Sequence, residues 1–294
     1  MTINMDSMLQ PSTIQLLRLP FSFFLLPVSL FALSQPLETN WLKAGLLLII
    51  LHLLVFPASN GYNSYMDRDE GPVGGIEKPL QPTRQLLIIV FAMDTLALLL
   101  SLFVSGWVFA VLLVYILASR AYSSRNVRLK RYPILGFLVV ILCQGALVFW
   151  MVYHGSHASQ SLNVPFTACL ASTLLMGGAY PLTQVYQHDA DGLDGVYTIS
   201  MLAGIKGTFI LSGLLFTLAF LVLGLHFALQ LEADRFLVLL VCFLPVQINF
   251  FSWAKKVWRN QNEANYENLM KMNRVAAFGG NSGFLIILIW KIIG

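Results

Sequence analysis

Charge is what this sequence has least of. Only 11% of its 294 residues are Asp, Glu, Lys or Arg, while 57% are hydrophobic, and the mean hydropathy is +0.73. A soluble globule is excluded by that balance, which describes a polytopic membrane protein, all-α in class. The net charge of +4 is too modest to draw nucleic acid to a surface. Cysteine is scarce as well. Cys143, Cys169 and Cys242 each lie inside an apolar run with no CxxC spacing, which excludes a disulfide framework or a zinc site and leaves them as packing residues. The opening MTINMDSMLQPSTIQLLRLP has no basic stretch ahead of an apolar one and no small-residue cleavage site, so no cleaved signal peptide is expected.

Apolar runs, by contrast, are abundant. Stretches of about 20 residues, enough to cross a bilayer, fall near 14–34, 42–66, 85–105, 106–124, 133–153, 165–188, 201–225, 235–254 and 275–293. They predict nine transmembrane helices, with only Ser105 and Gly106 dividing the third from the fourth. A cytoplasmic N-terminus puts fifteen Lys and Arg residues on the inner side and leaves Lys43, Arg235 and Lys291 outside. Such a positive-inside bias fits nine crossings and fails if one early helix is added or dropped. The protein is therefore expected in a cell inner membrane, with its C-terminus outside. The stretch WAKKVWRNQNEANYENLMKMNR, before the last crossing, is expected to form an interfacial helix.

One polar pattern occurs twice. PASNGYNSYMDRDEG, from Pro57 to Gly71, shares its skeleton with PLTQVYQHDADGLDG, from Pro181 to Gly195. Ser59 matches Thr183, Asn60 matches Gln184, Tyr62 matches Tyr186, Asn63 matches Gln187, Asp67 matches Asp191 and Glu70 matches Asp194. The amides and the acid fall at i, i+3 and i+7, which is one face if each segment is helical. Both copies end helices on the cytoplasmic side, with an even number of crossings between them, so the repeat is parallel. It predicts one domain over 1–294 made of two four-helix halves, 14–124 and 133–254, plus a ninth helix at 275–293.

The two copies also gather Asp67, Asp69, Glu70, Asp189, Asp191 and Asp194 on one side. Carboxylates brought together repel one another, and a hard divalent cation is the usual remedy. Magnesium leaves coordination positions for water and substrate phosphates, so facing clusters form a candidate diphosphate site. The candidate metal ligands are Asn63, Asp67, Asp69, Glu70, Gln187, Asp191 and Asp194. Asn60, Asn63, Gln184 and Gln187 lie deeper than the acids and should face the bundle interior rather than lipid. Arg18, Lys78, Arg120, Arg125, Lys130 and Lys206 are candidate phosphate contacts, although positive-inside charge explains much of the 120–131 cluster without any substrate. Asp94, in the middle of an apolar helix, needs a polar surrounding or a partner on another helix. Tyr62, Tyr65, Tyr122 and Tyr186 are placed to turn rings toward a cation, or simply to lie in the interfacial aromatic belt.

With these residues the chain resembles the UbiA superfamily of intramembrane prenyltransferases. The likeness covers the RLPFSFFLLP opening, both motifs, the basic YSSRNVRLKRYP loop and the helix count. Against the family's NDxxDxxxD the chain reads NSYMDRDEG, so Asn63 and Asp67 match while Ser64 and Gly71 depart. Against DxxxD, Asp191 matches and Gln187 replaces the first acid. The resemblance implies magnesium-dependent transfer of an isoprenoid chain from an allylic diphosphate to a small-molecule acceptor, usually an aromatic ring, with Asp67, Asp191 and Lys206 in the catalytic set. The altered acids leave a membrane terpene cyclase as an alternative reading. A transporter with its site at the repeat interface is a third, less suited to polar pairs lying toward one face. The sequence sets neither the acceptor, the prenyl length nor the oligomeric state.

Overall fold

A computed structural model describes residues 9–293; residues 1–8, part of the stretch read for a signal peptide, lie outside it. Among the described residues there is no β-strand, only isolated bridges between Thr39 and His157 and between Val73 and Ile76. In chain order the α-helices are α1 Pro11–Leu16, α2 Leu26–Ser34, α3 Trp41–Ile49, α4 Phe56–Asp67, α5 Arg84–Ser101, α6 Gly106–Ser123, α7 Pro133–Ile141, α8 Val148–Ser156, α9 Phe166–Ala179, α10 His188–Leu193, α11 Ile199–Leu229, α12 Ala233–Arg259 and α13 Tyr266–Ile293. π-Helical turns at Ile50–Val55 and Leu142–Leu147 join α3 to α4 and α7 to α8.

Seven stretches are long and apolar enough to cross a membrane: Trp41–Asp67, Arg84–Ser101, Gly106–Ser123, Pro133–Ser156, Ile199–Leu229, Ala233–Arg259 and Tyr266–Ile293. Pro11–Phe24 with Leu26–Ser34 makes an eighth if this pair, bent by 43°, is one span. The crossing expected at 165–188 is observed as α9, with 14 residues, followed by a 3-10 turn at Pro181–Gln184. Fourteen residues rise about 21 Å, against a hydrocarbon core of about 30 Å. By length and composition the described residues thus give seven or eight spans. Two local expectations resolve clearly. Ser105 does separate two helices, because its hydroxyl caps α6 by accepting the Val108 N–H. The expected interfacial helix is corrected: its residues extend α12 to Arg259 and start α13 at Tyr266, with only a 3-10 turn at Gln261–Glu263 between.

The chain divides into two compact units, one taking the chain up to Ser22 with Leu46–Arg128, the other Phe23–Gly45 with Leu129 onward. In the first unit Leu16, Leu17, Ala58, Tyr62, Leu86 and Val90 form a buried cluster. Gly61 makes it possible, since a Cβ there would lie 2.9 Å from Val90 Cγ2 and 3.1 Å from Leu86 Cδ1. The backbone of α4 therefore lies close against α5, which holds its polar face in place.

In the second unit Phe31 of α2 is fully buried among Phe149 of α8, Phe227 of α11 and Phe284 of α13, at ring-centroid distances of 5.3, 6.2 and 4.7 Å. Between lipid and a protein interior there is little hydrophobic transfer to gain, so this cluster holds its helices by packing and ring geometry.

Candidate active site

The first copy of the repeat is one continuous helix from Pro57 to Asp67. Asn60, Asn63 and Asp67 all lie on α4, so their spacing places them on one face. Asn63 Nδ2 donates to Asp67 Oδ2 at 2.8 Å and to Ser123 Oγ of α6 at 3.1 Å. The Nδ2 of Asn60, one turn deeper, is buried without a hydrogen-bond partner. The helix stops because Arg68 takes a left-handed conformation (φ 56°, ψ 45°) and its N–H returns to the Ser64 carbonyl. Half-buried Asp69 and exposed Glu70 therefore leave the helix axis just past Asp67.

Three guanidinium groups, from two stretches of the chain, converge on that last turn. Buried Arg18 donates to Ser64 Oγ at 2.5 Å. Arg125 Nε donates to the Met66 carbonyl at 2.8 Å, and its Nη2 reaches the Asp67 carbonyl at 3.4 Å. Arg128 Nη2 lies 3.9 Å from Asp67 Oδ1, with both side chains nearly inaccessible. Arg120 does something different. It forms an ion pair with buried Asp94 and lies over the Tyr62 ring, 4.4 Å from its centroid, which supplies the partner that Asp94 needs in an apolar helix. Lys78 is exposed on the 71–82 loop; its carbonyl accepts from Gln15 Nε2, while Leu80 N–H donates to Gln15 Oε1. Tyr122 is half-buried near the end of α6.

The second copy is built otherwise, and the expected single helical face is not continuous there. After Ala179 the chain forms a 3-10 turn at Pro181–Gln184, leaves it, and re-enters a helix only at His188. Pro181 has no N–H to continue α9, while Thr183 donates both its N–H (3.0 Å) and its hydroxyl (2.6 Å) to the Tyr180 carbonyl, tightening the turn. Gln184 is buried; its Nε2 donates to the Tyr180 hydroxyl at 2.9 Å, and its Oε1 accepts the Ser200 N–H at 3.4 Å. Gln187 precedes α10, and its carbonyl accepts the Asp191 N–H at 2.8 Å. Asp191 and Asp194 are half-buried and Asp189 is exposed. Lys206 is half-buried two residues past a break in α11 at Gly204 (φ 71°, ψ 165°). Lys130 is half-buried in a 3-10 turn, Leu129–Arg131, ahead of α7.

The structure thus joins Asn63, Asp67, Arg18 and Arg125 in the first unit, and places Gln184, Gln187, Asp191, Asp194 and Lys206 in the second. It adds Arg128, Ser64 and Ser123, which sequence reasoning passed over. Arg128 stood in a basic run already explained by the positive-inside rule, and its left-handed conformation (φ 48°) has no signature at sequence level. Among the described residues no group of three or more His, Cys, Asp or Glu side chains is gathered to hold a metal ion.

A sequence model of the UbiA prenyltransferase family matches residues 21–275. Among solved structures, the apo form of a UbiA homolog from Aeropyrum pernix K1 is 16% identical, aligns with 92% of this chain and 98% of its own, and has a TM-score of 0.70. A UbiA homolog from Archaeoglobus fulgidus bound to GPP and Mg2+ is 17% identical over 94% of this chain and 99% of its own, with a TM-score of 0.68. A structure from work on digeranylgeranylglyceryl phosphate synthase is 18% identical over 96% and 98%, with a TM-score of 0.61. At these identities the likeness is one of fold. Comparison with curated proteins gives no match.

Proposed function

We propose that this chain, which belongs to the UbiA prenyltransferase family, transfers an isoprenoid chain from an allylic diphosphate to an acceptor within the membrane, using magnesium, with an aromatic ring as the acceptor. The observation that carries this reading is the last turn of α4. There Arg18, Arg125 and Arg128 approach through the Ser64 hydroxyl, the Met66 carbonyl and the Asp67 carboxylate, and guanidinium groups beside the acids Asp67, Asp69 and Glu70 suit a metal-bound diphosphate, which needs partners of both signs. The Archaeoglobus homologs bound to GPP and to DMAPP with Mg2+ lend the same reading support from outside the chain.

The donors present fit magnesium, which takes hard oxygens and is commonly held by one or two carboxylates together with substrate phosphates. Asn63, Asp67, Asp69 and Glu70 from the first copy and Gln187, Asp191 and Asp194 from the second would hold it. When bound, it supplies positive charge to the departing diphosphate. Arg125 and Arg128 orient the phosphate oxygens by charge-assisted hydrogen bonds, and Arg18, Lys78, Lys130 and Lys206 add cations around them. Asn60 offers a buried amide N–H that no protein group accepts. Arg120 is engaged by Asp94 and lies over the Tyr62 ring, which is itself buried in the apolar cluster of the first unit, so both support the site from outside it. Tyr65, Tyr122 and Tyr186 are the rings left to turn toward the allylic cation, and the apolar helices keep water from quenching it. In this reading α9 with its following turns completes nine crossings in two parallel halves. The N-terminus and both copies of the repeat are cytoplasmic in a cell inner membrane, and the C-terminus lies outside.

The test is diphosphate release by the purified chain with magnesium, geranyl diphosphate and a panel of aromatic acceptors. Release that requires both metal and acceptor, and that is lost in Asp67→Ala and Asp191→Ala, is the expected result. Unchanged turnover in both variants sinks the proposal, and terpene hydrocarbon or alcohol made without acceptor reassigns the chain to cyclisation.

A further inference from the structure

The second copy lacks the continuous helix that holds the first, and something else must fix Asp191 relative to Lys206. A chain of side chains in the second unit does so. Ser200 and Thr208 lie four residues either side of Gly204, on the two segments of broken α11, and both are fully buried. Thr208 Oγ1 is 2.8 Å from the Gly204 carbonyl and 3.2 Å from the Ser200 carbonyl. Carbonyls only accept, so the Thr208 hydroxyl donates to one of them. Its lone pairs then accept from Ser200 Oγ, 2.9 Å away, which uses the one Ser200 proton. Ser200 Oγ in turn accepts from His188 Nε2 at 2.7 Å. Donation therefore runs one way: His188 to Ser200 to Thr208 to the backbone at the bend.

The two ends of this chain matter for the site. His188 is the first residue of α10, the short helix that carries Asp191. Gly204 has a backbone conformation (φ 71°, ψ 165°) open essentially to glycine alone, and Lys206 follows it by two residues. We propose that His188 is a positioning residue, which through Ser200 and Thr208 ties the Asp191 helix to the bend that presents Lys206. This rests on the diphosphate-site reading above only for its consequence in binding; the tie itself is a statement about geometry.

Two measurements on the full-length chain separate these parts. The first is magnesium-dependent binding of geranyl thiodiphosphate, a probe that resists ionisation. His188→Phe and Thr208→Val should each weaken it about tenfold, and the double variant should be no weaker than either single, because both cut one chain. His188→Gln, which keeps a donor near the Nε2 position, and Thr208→Ser, which keeps the hydroxyl, should restore most of the affinity. The second is the distance distribution between spin labels at Leu193 and Ile210, both exposed and lying on either side of the break at Gly204, in a background free of native cysteines. It should be narrow with His188 in place and in His188→Gln, and broad in His188→Phe and Thr208→Val, with or without probe. If the starting protein binds no probe but the distances respond as described, the diphosphate reading fails and the tie stands. Unchanged distances, additive losses in the double variant, or a His188→Gln variant as weak as His188→Phe overturn the proposal.

Discussion

In α4 the chain passes Pro57 and stays helical to Asp67, whereas at the matching Pro181 it leaves the α-helix. The difference lies in what precedes each proline. Before Pro57 the backbone widens into a π-helical turn, Ile50–Val55, and the Phe56 N–H reaches back to the Leu51 carbonyl. A wider turn gives the proline ring room that an ordinary α-turn denies it. Before Pro181 the helix is regular up to Ala179, and Thr183 draws the chain into a 3-10 turn. The same residue types at the same spacing thus end in two mechanical arrangements. The first copy is held by backbone hydrogen bonds and close helix packing, the second by side-chain bonds from Gln184 and His188.

That contrast is most directly broken at the two acids. Asp67 ends a continuous helix whose last turn three guanidinium groups approach, while Asp191 sits on a six-residue one. Asp67→Ala should lower diphosphate release about 10³-fold and Asp191→Ala about 10²-fold, the range found when a preorganised electrostatic group is removed. Measured rates at saturating geranyl diphosphate check this, and a greater loss at Asp191 would reverse the ranking of the two copies. Next in size is Arg120→Ala. It leaves Asp94 buried without its partner, so the chain should lose about 3 kcal/mol of stability, read as a lower melting temperature in detergent. Asp94→Leu combined with Arg120→Leu should recover most of that loss, which separates this structural arginine from Arg125 and Arg128.

Much of this was legible in the residues themselves. Low charge with long apolar runs pointed to an all-helical membrane protein, and the doubled polar skeleton with the RLPFSFFLLP opening pointed to the family that the sequence model matches. Asp94 announced its need for a partner, which Arg120 meets. Other features depend on tertiary context. The break between Pro181 and His188 follows from a threonine hydroxyl choosing a nearby carbonyl, and Ser59 at the equivalent place in α4 carries a hydroxyl too. Arg128 was hidden in a run of basic residues, each with the same ordinary explanation. The short α9 was counted with its polar continuation as one long run, because hydropathy does not register a change of helix type.

A smaller effect tests the turn itself. Thr183→Val keeps the shape of the side chain but removes the hydroxyl bond to the Tyr180 carbonyl, at a cost of about 1 kcal/mol. Hydrogen exchange should quicken in the segment from Pro181 to Gln187 and remain unchanged in α4. Ser59→Val, the matching change in the first copy, should leave the exchange of its own segment as it was, since α4 is held by its backbone ladder. Similar acceleration in both segments would mean that the two copies are held alike.

The smallest expected effect concerns the amide that replaces an acid. Gln187 is the N-cap of α10 and takes part in its first turn only through its backbone, whose carbonyl accepts the Asp191 N–H, so Gln187→Asp keeps that bond and places an aspartate where helix starts favour one. It also adds a hard anionic oxygen four residues ahead of Asp191. The magnesium concentration for half-maximal activity should fall about fivefold, equivalent to about 1 kcal/mol of added affinity. The same change at Asn63 should act in the same direction and by more. There the amide donates to Asp67 on the next turn of a continuous helix, so Asn63→Asp exchanges a hydrogen bond for repulsion between carboxylates four residues apart, which a bound divalent cation relieves. A metal titration of both variants reads the comparison in one experiment, and equal shifts of the same sign would show that the break at Gln187 makes no difference to how an acid is received.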